Sequence, residues 1–215
     1  MKLSERRSGN WAIAGKRSLF MPVNRSVPDV AQRRREWNGL MSGFKGSDLV
    51  FLDESGCNTD MTRRYAYSLG GSRAVDSAPL SKPKNTTILS SIQLDGTLRY
   101  TIFSGGTTVE RFKRYLESDL LPYLNRDSVL VMDNMKPHHA KAVKDLLDSS
   151  GIRYIYLPPY SPDLNPIEKL WSKVKALLRK FKVRTLDALP NAIQHAFQNV
   201  SPSDCAGWFM YCNYL

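Results

Sequence analysis

From residue 48 onward, short apolar runs alternate with stretches whose apolar residues recur every three or four positions. Three runs predict buried strands: 49–52, 129–132 and 152–157. Two β-rich runs at 86–94 and 98–103 predict a hairpin, because the Asp95-Gly96 pair between them favours a tight turn. Four stretches predict helices: 109–120, 139–149, 166–182 and 186–199. This order predicts an α/β fold, with a mixed central β-sheet flanked by α-helices.

Size and composition limit the class of protein. The chain has 215 residues, of which 42% are hydrophobic, enough for one sizeable domain with an ordinary core. No run approaches the roughly 18 apolar residues that a membrane-spanning helix needs. The three cysteines, Cys57, Cys205 and Cys212, form no CxxC pair and are typical of reduced thiols in a cytosolic protein. We therefore expect a cytoplasmic protein.

Positive charge is concentrated in two blocks. The formal net charge is +11; residues 1–45 carry ten Lys or Arg against three acids, and residues 169–184 carry seven with no acid. Basic blocks of this kind are typical of a surface that faces a polyanion, because neutralised phosphates release counterions. DNA is the partner that the charge pattern favours, although a merely soluble basic protein would share it.

Three segments are predicted along the chain. Residues 1–45 form a basic N-terminal arm and a helix at 30–41, capped by Ser26 or Asp29, with the arginines at 33–35 facing solvent. Residues 46–200 form the main domain. Residues 201–215 form a C-terminal tail.

Two aspartates stand where predicted strands end. Asp53 follows the run at 49–52, and Asp133 follows the run at 129–132. Sites in open α/β sheets form outside the carboxyl ends of strands, where side chains leave the core. A single aspartate at such a place is more often a turn former or a cap. Two of them on separate core strands of a basic protein favour a site.

Glu168 has two interpretations. Asn165-Pro166-Ile167-Glu168 has the form of a capping box, in which the glutamate only completes a helix start. However, Glu168 also heads a helical stripe that continues through Ser172, Lys175 and Arg179. A carboxylate followed by bases suits a metal ion at the helix start with a phosphate backbone running past it.

Three carboxylates suit phosphodiester chemistry. Two Mg²⁺ or Mn²⁺ ions about 4 Å apart can activate the attacking oxygen and stabilise the leaving oxygen. These hard cations take oxygen ligands, and without them a tight acidic cluster would raise its own pKa values. Other chemistries fit poorly, since the chain has no Gly-x-Ser-x-Gly elbow and its three His and three Cys show no zinc-ligand spacing.

Three motifs carry a resemblance to a known family. They are Leu-Asp-Glu-Ser-Gly at 52–56, Val-Met-Asp-Asn at 131–134 and Leu-Pro-Pro-Tyr-Ser-Pro-Asp-Leu-Asn-Pro-Ile-Glu-Lys-Leu-Trp at 157–171. They resemble the DDE transposases of the insertion sequence six-thirty family, within the Tc/mariner superfamily. The 34 residues between Asp133 and Glu168 match that group's spacing, and the resemblance covers about residues 28–215.

The resemblance implies a ribonuclease H-like fold and a transposase catalytic domain. Asp53 would lie on the first strand, Asp133 on the fourth and Glu168 on the helix after the fifth, as catalytic residues and ligands of two Mg²⁺ or Mn²⁺ ions. The location would be the bacterial cytoplasm, at the nucleoid. The reaction would be metal-dependent DNA strand cleavage and strand transfer at insertion-sequence ends. The partners would be transposon-end and target DNA, with a homodimer left open. Seven bases are predicted to contact DNA: Lys136, Lys169, Lys173, Lys175, Arg179, Lys180 and Lys182.

Two departures from the family pattern leave alternatives open. Only about 45 residues precede the first catalytic strand, too few for helix-turn-helix modules. The chain is then the catalytic part of a split transposase, whose N-terminal DNA-recognition part would be a further partner, or a truncated or trimmed version. His138 and His139 follow Asp133, either to contact the scissile phosphate or as solvated helix-start residues. A nuclease or integrase of the same fold, and an inactive copy that only binds DNA, remain alternative functions.

Overall fold

A five-stranded mixed sheet forms the centre of the domain. The computed structural model describes residues 28–62, 68, 70, 72–75, 77 and 84–215; the N-terminal arm and Ser26 lie outside them. The strand order is β3-β2-β1-β4-β5, with β1, β2 and β3 antiparallel and β1, β4 and β5 parallel. The strands are β1 (Leu49–Cys57), β2 (Thr86–Gln93), β3 (Leu98–Ser104), β4 (Val129–Met132) and β5 (Arg153–Tyr156). The predicted α/β fold with a mixed sheet is confirmed.

Six α-helices cover the two faces of this sheet within the described residues. Alternate residues of the central strands point to opposite faces, so that Leu49 and Phe51 join one core while Val50 and Leu52 join another. Burial on both faces explains why β1 and β4 begin as continuous apolar runs. The helices are α1 (Pro28–Met41), α2 (Val109–Tyr115), α3 (Lys141–Ser150), α4 (Ile167–Phe181), α5 (Leu189–Gln198) and α6 (Pro202–Tyr211).

Helices α2 and α3 cover one face, and α1, α4, α5 and α6 contribute to the core on the other. None of the helices in the described ranges is long and apolar enough to cross a bilayer.

The β2–β3 hairpin confirms the turn predicted at Asp95-Gly96. Residues 94–97 connect the two strands, with Gly96 at a φ of +92° and its N–H bonded to the carbonyl of Gln93. A glycine in the left-handed region after a type I turn is typical of such loops. The Asp95 carboxylate accepts from the N–H and hydroxyl of Thr97, which completes the turn.

The predicted C-terminal tail is a helix packed into the core. Ser201 and Asp204 form a reciprocal capping box at the start of α6. Phe209 and Tyr214 are buried, and the Tyr214 hydroxyl accepts from the Trp37 indole of α1 and donates to the carbonyl of Leu164. The two ends of the described chain are therefore parts of the same domain.

The solvent-facing role predicted for the arginines at 33–35 is wrong for one of them. Arg34 forms a bidentate ion pair with Asp163, at 3.1 and 2.7 Å, and its side chain is only 15% exposed. This pair ties α1 to the proline-rich segment that leads into α4. Asp29, one of the two predicted caps, lies inside the first turn of α1.

Candidate active site

Asp53 and Asp133 lie side by side at one edge of the parallel part of the sheet. The last parallel pair between β1 and β4 joins Leu52 to Met132, and each aspartate is the next residue of its chain. The sequence placed the end of β1 at residue 52, but the strand continues to Cys57 because its antiparallel pairing with β2 extends from Val50 to Cys57. The predicted position of the site still holds, because the parallel pairing of β1 with β4 ends at Leu52 and Met132.

Glu168 reaches the same place from the first turn of α4. Its helix packs on the sheet through a buried apolar stripe: Ile167, Leu170, Trp171, Val174 and Leu178. No side chain makes a capping hydrogen bond at the start of α4. The side chain of Asn165 points instead to Asp53, at 3.4 Å from Oδ2. The capping-box interpretation of Glu168 is therefore wrong.

One cleft of about 750 Å³ contains all three carboxylates. Its walls come from the ends of β1 and β4, from the segment after β5 and from the first turns of α4. Besides the acids, Trp171 and Lys175 of α4 line it. The cleft thus collects side chains that are far apart in sequence, as the resemblance implied.

Asp53 is buried and held by three donors. Its Oδ1 accepts from the N–H of Glu54 at 2.7 Å, and its Oδ2 accepts from the Trp171 indole at 3.2 Å as well as from Asn165. Neither side-chain donor is predicted by the sequence. The spacing of apolar residues predicts that Trp171 lies on the buried face of α4. That spacing gives no sign of a hydrogen bond made by its indole N–H.

The electrostatics of the cleft favour a cation. Burial, followed by the charges of Asp133 and Glu168, raises the pKa of Asp53 from 3.8 to about 8. Burial and the Asp133 charge likewise raise the pKa of Glu168, against the opposing effect of Lys175. Carboxylate oxygens are the donors that Mg²⁺ and Mn²⁺ prefer, and a divalent cation would remove the repulsion that keeps a proton on Asp53. The three side chains therefore fit a hard divalent metal.

His138 is completely buried between two carboxylates. Its Nδ1 lies 2.9 Å from Oδ1 of Asp133, and its Nε2 lies 3.2 Å from Oε1 of Glu54. Burial alone would lower the pKa of His138, but these hydrogen bonds outweigh it and raise the pKa to about 10. Burial alone would raise the pKa of Asp133, but the hydrogen bonds from His138 and from the N–H of Met135 lower it.

Neither role predicted for the two histidines fits His138. Its side chain has no exposed surface, so it is neither solvated nor able to touch a phosphate. His139 is exposed and stacks on Tyr156 with 4.1 Å between ring centroids. The sequence also missed Glu54, which lines the cleft next to Asp53.

The predicted DNA-contacting bases do not all lie in one environment. Lys175 lines the cleft beside Glu168, while Lys136 is exposed in the turn after Asp133. Lys169 lies 3.7 Å above the ring of Tyr211, and Lys173 forms an ion pair with Asp204. The other three lie at the end of α4: Arg179, Lys180 and Lys182.

Comparison with known sequences finds transposase relatives. The chain is 26% identical over 97 residues to the transposable element Tc1 transposase of Caenorhabditis elegans, covering 43% of this chain and 36% of that protein. It is 29% identical over 130 residues to the histone-lysine N-methyltransferase SETMAR of Homo sapiens, covering 55% of this chain and 19% of that protein. The chain thus spans about a third or less of the length of these relatives.

Comparison with solved structures confirms the ribonuclease H-like fold. A pre-cleavage Mos1 transpososome has a TM-score of 0.75 and 17% identity, covering 93% of this chain and 64% of that one. The catalytic domain of Mos1 mariner transposase has a TM-score of 0.65 and 17% identity, covering 85% and 87%. A Mos1 mariner paired-end complex with Mn has a TM-score of 0.73 and 19% identity, covering 92% and 63%.

A family model agrees with these likenesses and with the motifs in the sequence. The model described as DDE superfamily endonuclease matches residues 48–190, a range that includes all three carboxylates of the cleft and covers more than half of the chain. The resemblance to DDE transposases is confirmed, and the chain belongs to the DDE superfamily endonuclease family.

Proposed function

We propose that this domain cleaves DNA strands and transfers them at the ends of an insertion sequence. Asp53, Asp133 and Glu168 would be its catalytic residues and would hold two Mg²⁺ or Mn²⁺ ions. The observation that carries the proposal is the meeting of these three carboxylates in one cleft, where burial and the other two charges raise the pKa of Asp53 to about 8.

Each carboxylate has a distinct support from the chain. Asp53 is fixed from behind by the indole of Trp171 and the amide of Asn165. Asp133 is fixed through Oδ1 by His138 and by the N–H of Met135. Glu168 is carried by a helix whose buried stripe anchors it to the sheet. Bound between them, two cations would supply activation of the attacking oxygen and stabilisation of the leaving oxygen of a phosphodiester.

Lys175 gives the cleft its own positive charge. It lies on the same helical stripe as Glu168, two turns further along α4, and it lines the same cleft. The positively charged side chain of Lys175 would hold a DNA phosphate next to the carboxylates. Arg179 continues the stripe toward the end of α4. The backbone of bound DNA would therefore follow α4 away from the active site.

The partners we propose are transposon-end DNA and target DNA. The likeness to a Mos1 paired-end complex with the left transposon end supports this choice. A homodimer, and a separate N-terminal part that recognises the transposon end, belong to the same proposal. So does a location in the bacterial cytoplasm at the nucleoid.

Nicking and joining assays on one substrate test the function. With Mg²⁺ or Mn²⁺, the protein should nick a supercoiled plasmid and join an oligonucleotide with a free 3′-hydroxyl to it. Nicking without joining would favour a nuclease of the same fold. Binding with neither reaction would favour an inactive copy that only binds DNA.

DNA binding should be strongly salt-dependent and similar for unrelated duplexes. Contacts made by Lys175 and Arg179 to phosphates carry affinity but little sequence information. Replacing either base by Gln should reduce the slope of log affinity against log salt by about 1. Lys113→Gln is the matched control, because Lys113 lies on α2, which packs on the other face of the sheet, and pairs with the nearby Glu117. Tight, salt-insensitive binding to a single sequence would contradict this view of the surface.

A further inference from the structure

His138 contacts the active-site residue Asp133, but its own side chain does not line the cleft. It follows Asp133 by five residues, at the end of a short 3₁₀ turn, and has no exposed side-chain surface. The ring of Phe112 stacks on it with 4.3 Å between centroids. Its Nδ1 faces Oδ1 of Asp133, and its Nε2 faces Oε1 of Glu54.

Hydrogen bonds occupy both nitrogens of this ring. The ligand atoms of Glu54, Asp133 and His138 all lie within 4.8 Å of one another, a spacing that would also suit a metal. However, each ring nitrogen already lies within hydrogen-bond distance of a carboxylate oxygen, so neither is free to bind a metal or to take a proton from substrate. His138 can therefore influence the active site only through the two carboxylates that it contacts, those of Glu54 and Asp133.

Asp133 needs an external support of this kind. β4 ends at Met132, so Asp133 is the first residue beyond the strand, and its side chain is 37% exposed. Nδ1 of His138 lies 2.9 Å from Oδ1 of Asp133 and 3.2 Å from the Asp133 carbonyl oxygen. Oδ1 also accepts from the N–H of Met135, and among the described residues Oδ2 accepts no hydrogen bond. Oδ1 of Asp133 is therefore held in place, and Oδ2 is left to bind a ligand in the cleft.

Glu54 fixes the ring in turn. Its side chain is only 6% exposed, and its Oε2 is buried without a hydrogen-bond partner among the described residues. A buried carboxylate with an unpaired oxygen is costly for folding, so a contribution to stability does not explain its place here. The contact that it does make, through Oε1, sets the plane of His138. The hydroxyl of Tyr156 also donates to the His138 carbonyl, at 2.9 Å, which anchors the turn.

We propose that Glu54 and His138 are positioning residues that hold Asp133 in the orientation in which Oδ2 binds the metal. The proposal rests on the function proposed above, since it requires Asp133 to be a metal ligand. Carboxylate–histidine supports of this kind typically change metal affinity 10- to 100-fold when they are removed.

Metal binding without DNA provides the test, with Mn²⁺ as the probe and calorimetry or electron paramagnetic resonance as the readout. His138→Gln keeps a donor toward Glu54 but loses the one toward Asp133, and it should weaken Mn²⁺ binding by about tenfold or more. Simple electrostatics predicts the opposite sign, because a lost positive charge should strengthen the binding of a cation. The sign of the change thus separates positioning from charge.

Two further variants sharpen the comparison. His138→Asn retains a donor near the position of Nδ1 and should restore most of the affinity. His139→Gln is the matched control, because its exposed ring stacks on Tyr156 and should not affect Mn²⁺ binding. Glu54→Gln should also weaken binding by about tenfold, but there the lost negative charge acts in the same direction. If His138→Gln does not fold, His138→Asn keeps the test open, because a tenfold or larger loss of Mn²⁺ affinity in this variant contradicts the positioning role. Melting temperatures of the same preparations identify loss of affinity that comes from unfolding.

The outcomes for this proposal and for the proposed function are distinct. Parental Mn²⁺ affinity in folded His138→Gln overturns the positioning role and leaves the function standing. A parent protein whose Mn²⁺ binding is absent, or is unchanged by Asp133→Asn, contradicts the metal site itself and the positioning role with it.

Discussion

Glu168→Gln is expected to fold and bind DNA nearly as the parent does, yet to lose strand cleavage by orders of magnitude. The amide has almost the shape of the carboxylate, but it lacks the negative charge that a ligand of Mg²⁺ or Mn²⁺ supplies. No capping hydrogen bond depends on Glu168, so the loss of unfolding free energy should stay within about 1 kcal/mol, from the helix dipole alone. Asp53→Asn and Asp133→Asn should behave in the same way.

Melting temperature and Mn²⁺-dependent plasmid nicking, measured on the same preparations, check this expectation. Glu117→Gln is the matched control, because this exposed residue pairs with Lys113 on the helix α2 side and should change neither quantity. A folded Glu168→Gln protein that nicks at the parental rate would remove Glu168 from the active site. Equal loss of nicking in the control would point to a damaged preparation.

The positions of the three acids could be predicted because each follows a strong local pattern. Strands buried on both faces must be continuous apolar runs, so the ends of the runs at 49–52 and 129–132 marked the edge of the sheet. The apolar stripe of α4 has a clear helical period, and Glu168 stands at its first turn. The spacing of Asp133 and Glu168 then linked the pattern to a family.

The continuation of β1 could not be predicted in this way. Asp53-Glu54-Ser55-Gly56 has the composition of a turn, yet these residues pair with 87–90 of β2. Backbone hydrogen bonds of the ladder do not depend on side-chain type, and tertiary pairing overrides weak strand propensity. Ser90, opposite Asp53, is fully buried, which no polar pattern would indicate.

Helix α6 was missed for a related reason. Only Cys205 and Phe209 within it are buried, so the apolar spacing that identified the other helices is absent. The signal that was present is local: Ser201 followed by Pro202 and by Asp204, a cap, a first-turn proline and an acid at the third position. The contacts of His138 and Trp171 with the aspartates had no such signal, because they join residues 5 and 118 positions apart through the fold.

Metal binding is expected to strengthen about tenfold for each pH unit up to pH 8, because Asp53 must lose its proton before it can act as a ligand. The pKa of this carboxyl is about 8 without metal, owing to burial and then to the charges of Asp133 and Glu168. Ca²⁺ is a suitable probe for affinity, since it binds carboxylates and is expected not to support turnover. Cleavage itself should require Mg²⁺ or Mn²⁺ and should stop in excess chelator.

The raised pKa of Asp53 also predicts how the free energy of unfolding of the metal-free protein varies with pH. The pKa of Asp53 is raised in the fold from 3.8, so its contribution to the free energy of unfolding is fully present below about pH 4 and is lost as pH rises through 8. The raised pKa of His138 acts in the same direction, with stability present below 6.5 and lost as pH rises through 10. Asp133 and Asp204, whose pKa values are lowered, titrate below this window.

The melting temperature in chelator should therefore fall between pH 6 and pH 9, and saturating Mg²⁺ should reverse the fall most strongly at the alkaline end. Asp53→Asn resembles the protonated side chain and can still accept from the Trp171 indole, so it should lose the part of the fall that lies between pH 6 and pH 8, together with much of the response to Mg²⁺. Calcium titrations at pH 6, 7 and 8 measure the linked proton directly. An affinity that is flat across these three values, or a melting profile of Asp53→Asn that parallels the parent, would show that Asp53 does not carry the proton that the metal displaces.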